Sequence, residues 1–349
     1  MSDAHLDAAP DAQAARPDAE SSGGAKPRGL LSVVVPVYLE QEVLPQAYRR
    51  LKAALDALAP ELDHEIVFVD DGSTDGSSEI LRSLAASDSR VRVVRFARNF
   101  GHQMAVTAGL DVAAGDAVVV IDADMQDPPE VIERMVAEWR KGYAVVYGRR
   151  VRRQGESSFK LLTAKVFYRG LQRLSETELP VDAGDFRLLD RRVVDVLVGM
   201  RERGRYMRGM VSWVGFPQNA VEYERQPRAA GKTKYSLRKM VRLALDGVTS
   251  FSSRPLMLAA QIGGAATVAG FLLGLWVVVS RLTHPETTSS GWASMIVVVI
   301  FMGGVQLMSV GLLGAYLAQV FDEVKGRPLY VVEERLGFDR SSPPPTDAR

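Results

Sequence analysis

Two carboxylates two residues apart, Asp122 and Asp124 in Ile121-Asp122-Ala123-Asp124-Met125-Gln126-Asp127, are placed by type and spacing to do chemistry. They directly follow Ala117 to Ile121, a short apolar run that reads as a strand. Carboxylates at i and i+2 on a strand end can converge on one hard cation, and such oxygen ligands suit Mg2+ or Mn2+. An ion held there can bridge two phosphates of a nucleotide and stabilise charge on a leaving diphosphate. An Asp-x-Asp alone is common, so its position carries the meaning. A second acid group, Val69-Asp70-Asp71-Gly72-Ser73-Thr74-Asp75, also closes an apolar run. Its glycine permits a turn and its hydroxyls can cap the next helix. An acid-rich turn that caps a helix needs no ligand, yet two adjacent acids exceed what capping requires. One of them can hydrogen-bond a base or ribose.

The elements that must carry these acids alternate between two periodicities. Strands are expected at Leu31 to Val35, Glu65 to Val69, Val91 to Phe96, Ala117 to Ile121 and Ala144 to Tyr147. Helices are expected at Glu42 to Leu58, Ser77 to Ala86, His102 to Ala113 and Pro129 to Arg140. In the first of them Leu44, Ala47, Leu51, Leu55 and Leu58 share one face. This β-α alternation implies an α/β domain with a mostly parallel sheet and helices on both faces. Ligands of such sheets bind beyond the carboxyl ends of the strands. The residues at those ends are Pro36-Val37-Tyr38, Asp70-Asp71, Arg98-Asn99 and Asp122-Ala123-Asp124.

The composition divides the chain of 349 residues, which is long enough for more than one domain. No charge interrupts Pro255 to Ser280 or Thr287 to Phe321. Each stretch exceeds the roughly 20 apolar residues that span a hydrocarbon core. We therefore expect residues 30–234 to form a catalytic domain, 235–254 a juxtamembrane amphipathic helix and 255–322 two transmembrane helices. Residues 1–29 read as a disordered tail without the apolar core of a signal peptide, and 323–349 as a cytoplasmic C-terminal tail. Positive charge before the first span, with Lys325 and Arg327 after the second, places both ends in the cytoplasm. With no cysteine, disulfide and thiolate chemistry are excluded. The four histidines are not paired at ligand spacing, which argues against zinc. Basic residues concentrate in two places, Arg149 to Arg173 with eight Lys or Arg against one acid, and Arg201 to Arg254 with twelve against four. Both can meet anionic headgroups or phosphate, or be solvated surface. Within the first, Phe159, Leu162, Val166 and Phe167 interleave with cations, as in a segment lying on a membrane or in a domain helix with long cationic side chains.

Taken together, Val34-Val35-Pro36-Val37-Tyr38-Leu39-Glu40, Val69-Asp70-Asp71-Gly72-Ser73-Thr74-Asp75 and Asp122-Ala123-Asp124-Met125-Gln126-Asp127-Pro128-Pro129 resemble the inverting family 2 glycosyltransferases with the GT-A fold. Arg98-Asn99-Phe100-Gly101-His102, Gly184-Asp185-Phe186-Arg187 and Gly231-Lys232-Thr233-Lys234-Tyr235 narrow the resemblance to the dolichyl-phosphate mannose synthase-like branch, in particular to bacterial polyprenyl-phosphate glycosyltransferases with two C-terminal spans. It extends over about Leu31 to Tyr330. The resemblance implies a nucleotide pocket lined by Pro36, Tyr38, Glu40, Asp70, Asp71 and Asp122. It implies Mg2+ or Mn2+ on Asp122, Asp124 and Gln126, and a phosphate-facing cation at Arg149. Arg152 and Lys160 fall in the match to an acceptor loop, and Arg228 and Lys234 in a late basic motif that touches phosphate. Asp124, Asp185 and Arg149 are the candidate catalytic residues, with Asp185 as a base or a group that orients the acceptor. Relatives usually carry Asn where this chain has Leu39, and some carry Ser at the position of Asp185.

The function so implied is transfer of a sugar from a nucleotide-sugar, expected to be a UDP-sugar, to a polyprenyl phosphate such as undecaprenyl phosphate. The product would be a lipid-linked donor for cell-envelope glycans, made at the inner membrane by a multi-pass protein. Relatives suggest a homotetramer, and nucleic acid is not an expected partner. Two other readings compete. A processive polysaccharide synthase usually has Gln-x-x-Arg-Trp, and this chain has no Arg-Trp pair. A non-catalytic membrane scaffold would tolerate loss of Asp122 or Asp124, and both are present. A dinucleotide-binding dehydrogenase needs Gly-x-Gly-x-x-Gly after the first strand, where this chain has Pro-Val-Tyr.

Overall fold

The computed structural model describes residues 29–59, 61–150, 183–225, 254–283 and 291–338. The expected N-terminal tail, the amphipathic stretch 151–174, the juxtamembrane helix up to residue 253, and Arg152, Lys160, Arg228 and Lys234 lie outside the described residues.

Strands rich in β-branched residues form the centre of the sheet. The strands β1 (Leu30–Val37), β2 (Asp63–Asp70), β3 (Val91–Phe96) and β4 (Ala117–Val120) pair in parallel in the order β4-β1-β2-β3. Side chains alternate across this sheet, so Val33, Val35, Ile66, Phe68 and Val119 pack on one face and Val34, Val67, Val69, Val118 and Val120 on the other. The first face is covered by α1 (Leu44–Leu58), α2 (Ser77–Ser87) and α4 (Val131–Arg140). The second is covered by α3 (His102–Val112), α5 (Arg191–Gly199) and α6 (Met207–Trp213). Helix α3 lies close on β1 because residue 109 is glycine; a Cβ there would sit 2.1 Å from Val34 Cγ1. Leu44, Ala47, Leu51 and Leu55 of α1 are buried as their spacing predicts.

Four strands extend this parallel centre. β6 (Ala183–Asp190) runs antiparallel between β4 and β5 (Val145–Arg150), and β7 (Gln218–Tyr223) lies parallel to β5 at the edge. β8 (Val332–Leu336) closes the opposite edge, antiparallel to β3. Among the described residues the sheet has eight strands in the order β7-β5-β6-β4-β1-β2-β3-β8.

Between β7 and β8 stand two long helices, α7 (Arg254–Thr283) and α8 (Trp292–Val324), which contact each other. Among the described residues one segment, Phe301–Val324, is long and apolar enough to cross a membrane; Gly263–Trp276 is a shorter apolar helical segment. Leu307, Met308, Leu317 and Phe321 on α8 expose most of their surface.

The chain returns to the catalytic domain after α8. Leu329 and Tyr330 are therefore part of the core and Val332–Leu336 part of the sheet, where a C-terminal tail was expected. Tyr330 is fully buried and stacks on Phe96 with ring centroids 4.9 Å apart, and its hydroxyl donates to Asp111 Oδ2 at 2.5 Å. Arg82 forks onto the Glu334 carboxylate at 3.0 and 2.9 Å. The backbone N–H of Arg203 donates to Glu323 at the end of α8 (3.0 Å). This strand escaped the sequence reading because Val332-Glu333-Glu334-Arg335-Leu336 is charged, which is how an edge strand is protected from further pairing.

Candidate active site

The acid turn after β2 is built into the scaffold. Asp70 is fully buried; its Oδ1 accepts from Ser73 N (2.9 Å) and its Oδ2 from the Ser78 hydroxyl (2.5 Å), tying the strand end to α2. Asp71 reaches the other way. Its carboxylate accepts from Asn99 Nδ2 (2.9 Å), Phe100 N (2.7 Å) and Gly101 N (3.0 Å). Burial pushes the Asp71 carboxyl above its ordinary range, while the Phe100 and Gly101 N–H groups pull it down. Gly72 completes the brace in the left-handed region, at φ +68°, against the backbone of Arg98 and Asn99. Both acids therefore have their oxygens engaged internally. Their visible effect is to seat the segment 98–101, which delivers His102 as the first residue of α3.

His102 stands between two acids. Its Nε2 lies 3.4 Å from Asp185 Oδ2 on β6 and 3.8 Å from Asp122 Oδ1 after β4. Burial opposes its charge, but the Asp185 and Asp122 carboxylates outweigh that and push it up to about 9. Arg208 of α6 donates from Nε to Asp185 Oδ1 at 2.9 Å. Arg187, fully buried beneath, donates to Gly184 O at 2.9 Å and lies 3.9 Å from Asp185. Burial lowers its guanidinium to about 10. Despite its own burial, the Asp185 carboxyl is held far below the usual carboxylate range by His102 and Arg208. With one carboxylate oxygen toward His102 and the other on Arg208, Asp185 fits orientation of both groups.

The metal-binding candidates follow β4. Asp122 and Asp124 are both half-buried, and Asp124 Oδ1 accepts from Gln126 N at 3.2 Å. Between them and Gln126 the chain reverses at Met125, whose φ of +56° is rare for a non-glycine residue. The Met125 side chain is buried against Val43 and Ala47, which holds that turn in place. Burial is the first cause of the raised Asp122 carboxyl, about 6. The His102 charge pulls it down and Asp185, Asp124 and Asp127 push it further up. A divalent cation would relieve that crowding of acids. Among the described residues no three acid, His or Cys side chains converge on one point. That agrees with an ion held by one or two carboxylates and completed by substrate phosphates, the common arrangement for Mg2+. These residues fit a divalent ion, which Asp122, Asp124 and Gln126 would hold.

Pro36 is buried at the end of β1, and Tyr38 is exposed at the rim beyond it. Glu40 is half-buried, with its backbone N–H donating to Ser77 Oγ (3.1 Å). Leu39 between them has φ +56°. The left-handed region costs a residue with a Cβ about 1–2 kcal/mol, and asparagine enters it most easily. This explains physically why Asn suits the position. Leu39→Asn should stabilise the protein by roughly 1 kcal/mol, raising its thermal midpoint by about 2–4 °C. An unchanged or lowered midpoint would show that Leu39 carries no strain.

Arg149 is not brought to this cluster. Its Nη2 pairs with Glu222 Oε1 at 2.5 Å on exposed surface. Arg150, the next residue on the strand and so on its other face, lies 3.5 Å from both Asp127 oxygens instead. The sequence reading also passed over Arg208, Arg187, Asp127 and Tyr223, and gave His102 no role. Gly184-Asp185-Phe186-Arg187, with charges on alternate positions of a strand, was the local signal that could have placed Arg187.

Residues 32–198 match the family described as glycosyl transferase family 2. The chain is 47% identical over 308 residues to the uncharacterized glycosyltransferase YkcC of Bacillus subtilis (strain 168), covering 88% of this chain and 94% of that one. It is 40% identical over 304 residues to the SfII prophage-derived bactoprenol glucosyl transferase of Shigella flexneri, covering 87% and 97%. It is 38% identical over 303 residues to the prophage bactoprenol glucosyl transferase homolog of Escherichia coli (strain K12), covering 87% and 98%. By these matches the chain belongs to glycosyl transferase family 2.

Proposed function

We propose that the protein transfers a sugar from a UDP-sugar to a polyprenyl phosphate, with inversion at the anomeric carbon and with Mg2+ or Mn2+. The observation that carries this reading is one rim where acids suited to a cation, Asp122 and Asp124, adjoin an imidazole and two guanidiniums, those of His102, Arg208 and Arg150. Relatives named bactoprenol glucosyl transferase at about 40% identity support the lipid acceptor. The donor nucleotide fits the rim of β1, with Pro36, Tyr38 and Glu40 around it and the braced Asp70–Asp71 turn as its floor.

The reaction must bring two anions together, the donor diphosphate and the acceptor phosphate. A divalent ion on Asp122 and Asp124 supplies neutralisation of the leaving diphosphate. Arg208 provides fixed positive charge beside it and His102 a hydrogen-bond donor, both aimed by Asp185 and needing no reorganisation during reaction. A phosphate monoester is already anionic near pH 7, so no side chain needs to remove a proton from it. Attack at the anomeric carbon from the face opposite the diphosphate inverts the configuration.

In this reading α7 and α8 both cross the inner membrane and hold the catalytic domain at its cytoplasmic face, where the lipid phosphate lies. A homotetramer and a role in supplying lipid-linked sugar for cell-envelope glycans complete the proposal.

Purified protein in detergent, with Mg2+ or Mn2+, undecaprenyl phosphate and a panel of UDP- and GDP-sugars, tests it by mass spectrometry of the lipid fraction. One lipid-linked sugar from one UDP-sugar is the expected result. A polymer in place of a single-sugar lipid would favour a processive synthase. No product from any donor, with nucleotide binding also absent by calorimetry, would favour a scaffold.

A further inference from the structure

The metal motif continues beyond Asp124 into a residue whose place in the fold its sequence does not announce. Asp127 is buried to 1% exposure three residues downstream. Its Oδ1 accepts from the Tyr223 hydroxyl at 2.5 Å. That hydroxyl accepts from Arg150 Nε at 3.1 Å, and Arg150 Nη2 returns to both Asp127 oxygens at 3.5 Å. Arg150 and Tyr223 are themselves cross-strand partners at the ends of β5 and β7. A second guanidinium, Arg225, stands two residues past β7 with its Nε 3.9 Å from Asp127 Oδ1.

Two glycines make room for this arrangement. At Gly148 a Cβ would meet the Tyr223 ring at 2.6 Å, and at Gly184 it would meet Arg150 Nη2 at 3.0 Å. Phe186 meets the Tyr223 ring edge-on, with centroids 5.7 Å apart. A buried carboxylate is costly without partners. Here the partners are one tight hydroxyl and two loosely held arginines. Tight ion pairs close to about 2.7–2.9 Å. At 3.5 and 3.9 Å the two guanidiniums are aimed by Asp127 without being sealed to it. Two positive charges face one negative, so the node keeps an excess of positive charge beside the metal motif.

We propose that Asp127 is a positioning residue for the acceptor. Through Tyr223 it fixes Arg150, and by charge it draws Arg225, so that both guanidiniums face an incoming phosphate next to Asp122 and Asp124. The inference rests on the proposed transfer to a polyprenyl phosphate. Asp127→Asn keeps an oxygen for the Tyr223 hydroxyl and the volume of the side chain, and removes the charge that aims both arginines.

The test measures initial rates with undecaprenyl phosphate in detergent, and UDP affinity by calorimetry. In D127N the acceptor KM should rise about tenfold, as expected for the loss of one charge-assisted contact. UDP affinity should stay within twofold of the parent. Tyr223→Phe, which leaves the charge but frees the arginine, should raise the acceptor KM about threefold and carries the test if D127N does not fold. An unchanged acceptor KM in both folded variants, or in Y223F alone, overturns the inference. So does an equal loss of UDP affinity, the mark of a merely structural role. A parent protein that transfers to no lipid phosphate overturns the proposed function and this inference together, whereas an active parent with unaffected variants overturns this inference alone.

Discussion

Alanine at Gly72 is expected to cost more than 3 kcal/mol of stability and to remove most transfer activity. The left-handed backbone accounts for about 1 kcal/mol of this. The larger part is steric. A Cβ on residue 72 would lie 2.4 Å from Arg98 C and 2.7 Å from Asn99 N. Both are backbone atoms, so no rotamer change relieves the overlap, and overpacking against rigid structure costs roughly 1–3 kcal/mol or more. The segment 98–101 must then shift, which breaks the hydrogen bonds it donates to Asp71. His102 begins the very next turn, so its approach to Asp122 and Asp185 moves with the segment. Urea titration of the Gly72→Ala protein should show a clearly lower midpoint, and the transfer assay a drop of at least a hundredfold. A midpoint equal to the parent's would mean that the segment yields freely and that His102 is not positioned from below.

The second large effect separates chemistry from folding. Asp124→Ala should lower transfer about a thousandfold while lowering the melting midpoint by no more than about 2–4 °C. A divalent ion contributes several kcal/mol to stabilising phosphoryl charge. About 4 kcal/mol corresponds to three powers of ten in rate. The side chain is half-buried, and its Oδ1 accepts the Gln126 N–H within the turn, a local bond that contributes about 1 kcal/mol at most. Adding Mg2+ or Mn2+ should raise the thermal midpoint of the parent with UDP present, and not that of the variant. Retained activity in Asp124→Ala would remove Asp124 from the metal site.

These expectations differ in how far the sequence alone supports them. The parallel strands β1 to β4 were legible from their apolar, mostly β-branched stretches, continuous in β4 and interrupted by Arg92 and Arg95 in β3. Their helices were legible from apolar spacing, with ends displaced by up to two residues. Strands β6 and β8 were not, because Gly184, Asp185 and Arg187 interrupt one and Glu333, Glu334 and Arg335 the other. Missing β6 had a consequence for the site. Inserted antiparallel between β4 and β5, it brings Asp185 to Asp122 and His102 across more than 60 residues of chain. No local pattern encodes that meeting. The acids after β2 and β4 were read correctly as strand-end residues, but their division of labour was not visible. Asp70 and Asp71 differ from Asp122 and Asp124 only in what lies above them, and that is tertiary. The choice of Arg149 over Arg150 turned on a single position of a two-residue period, together with a register shift between Tyr147 and Arg149.

The eighth strand bears on how the protein comes to exist in a cell. It is encoded after both apolar helices, yet it pairs with β3, which leaves the ribosome more than 200 residues earlier. Until then β3 presents an open row of backbone donors and acceptors, Asp111 lacks its tyrosine, and Arg82 lacks its carboxylate. An unpaired edge of this kind is sticky, and nascent chains are most vulnerable while such edges wait. Closing that edge therefore takes the last described stretch of the polypeptide, and a chain that stops before β8 keeps β3 unpaired on that side.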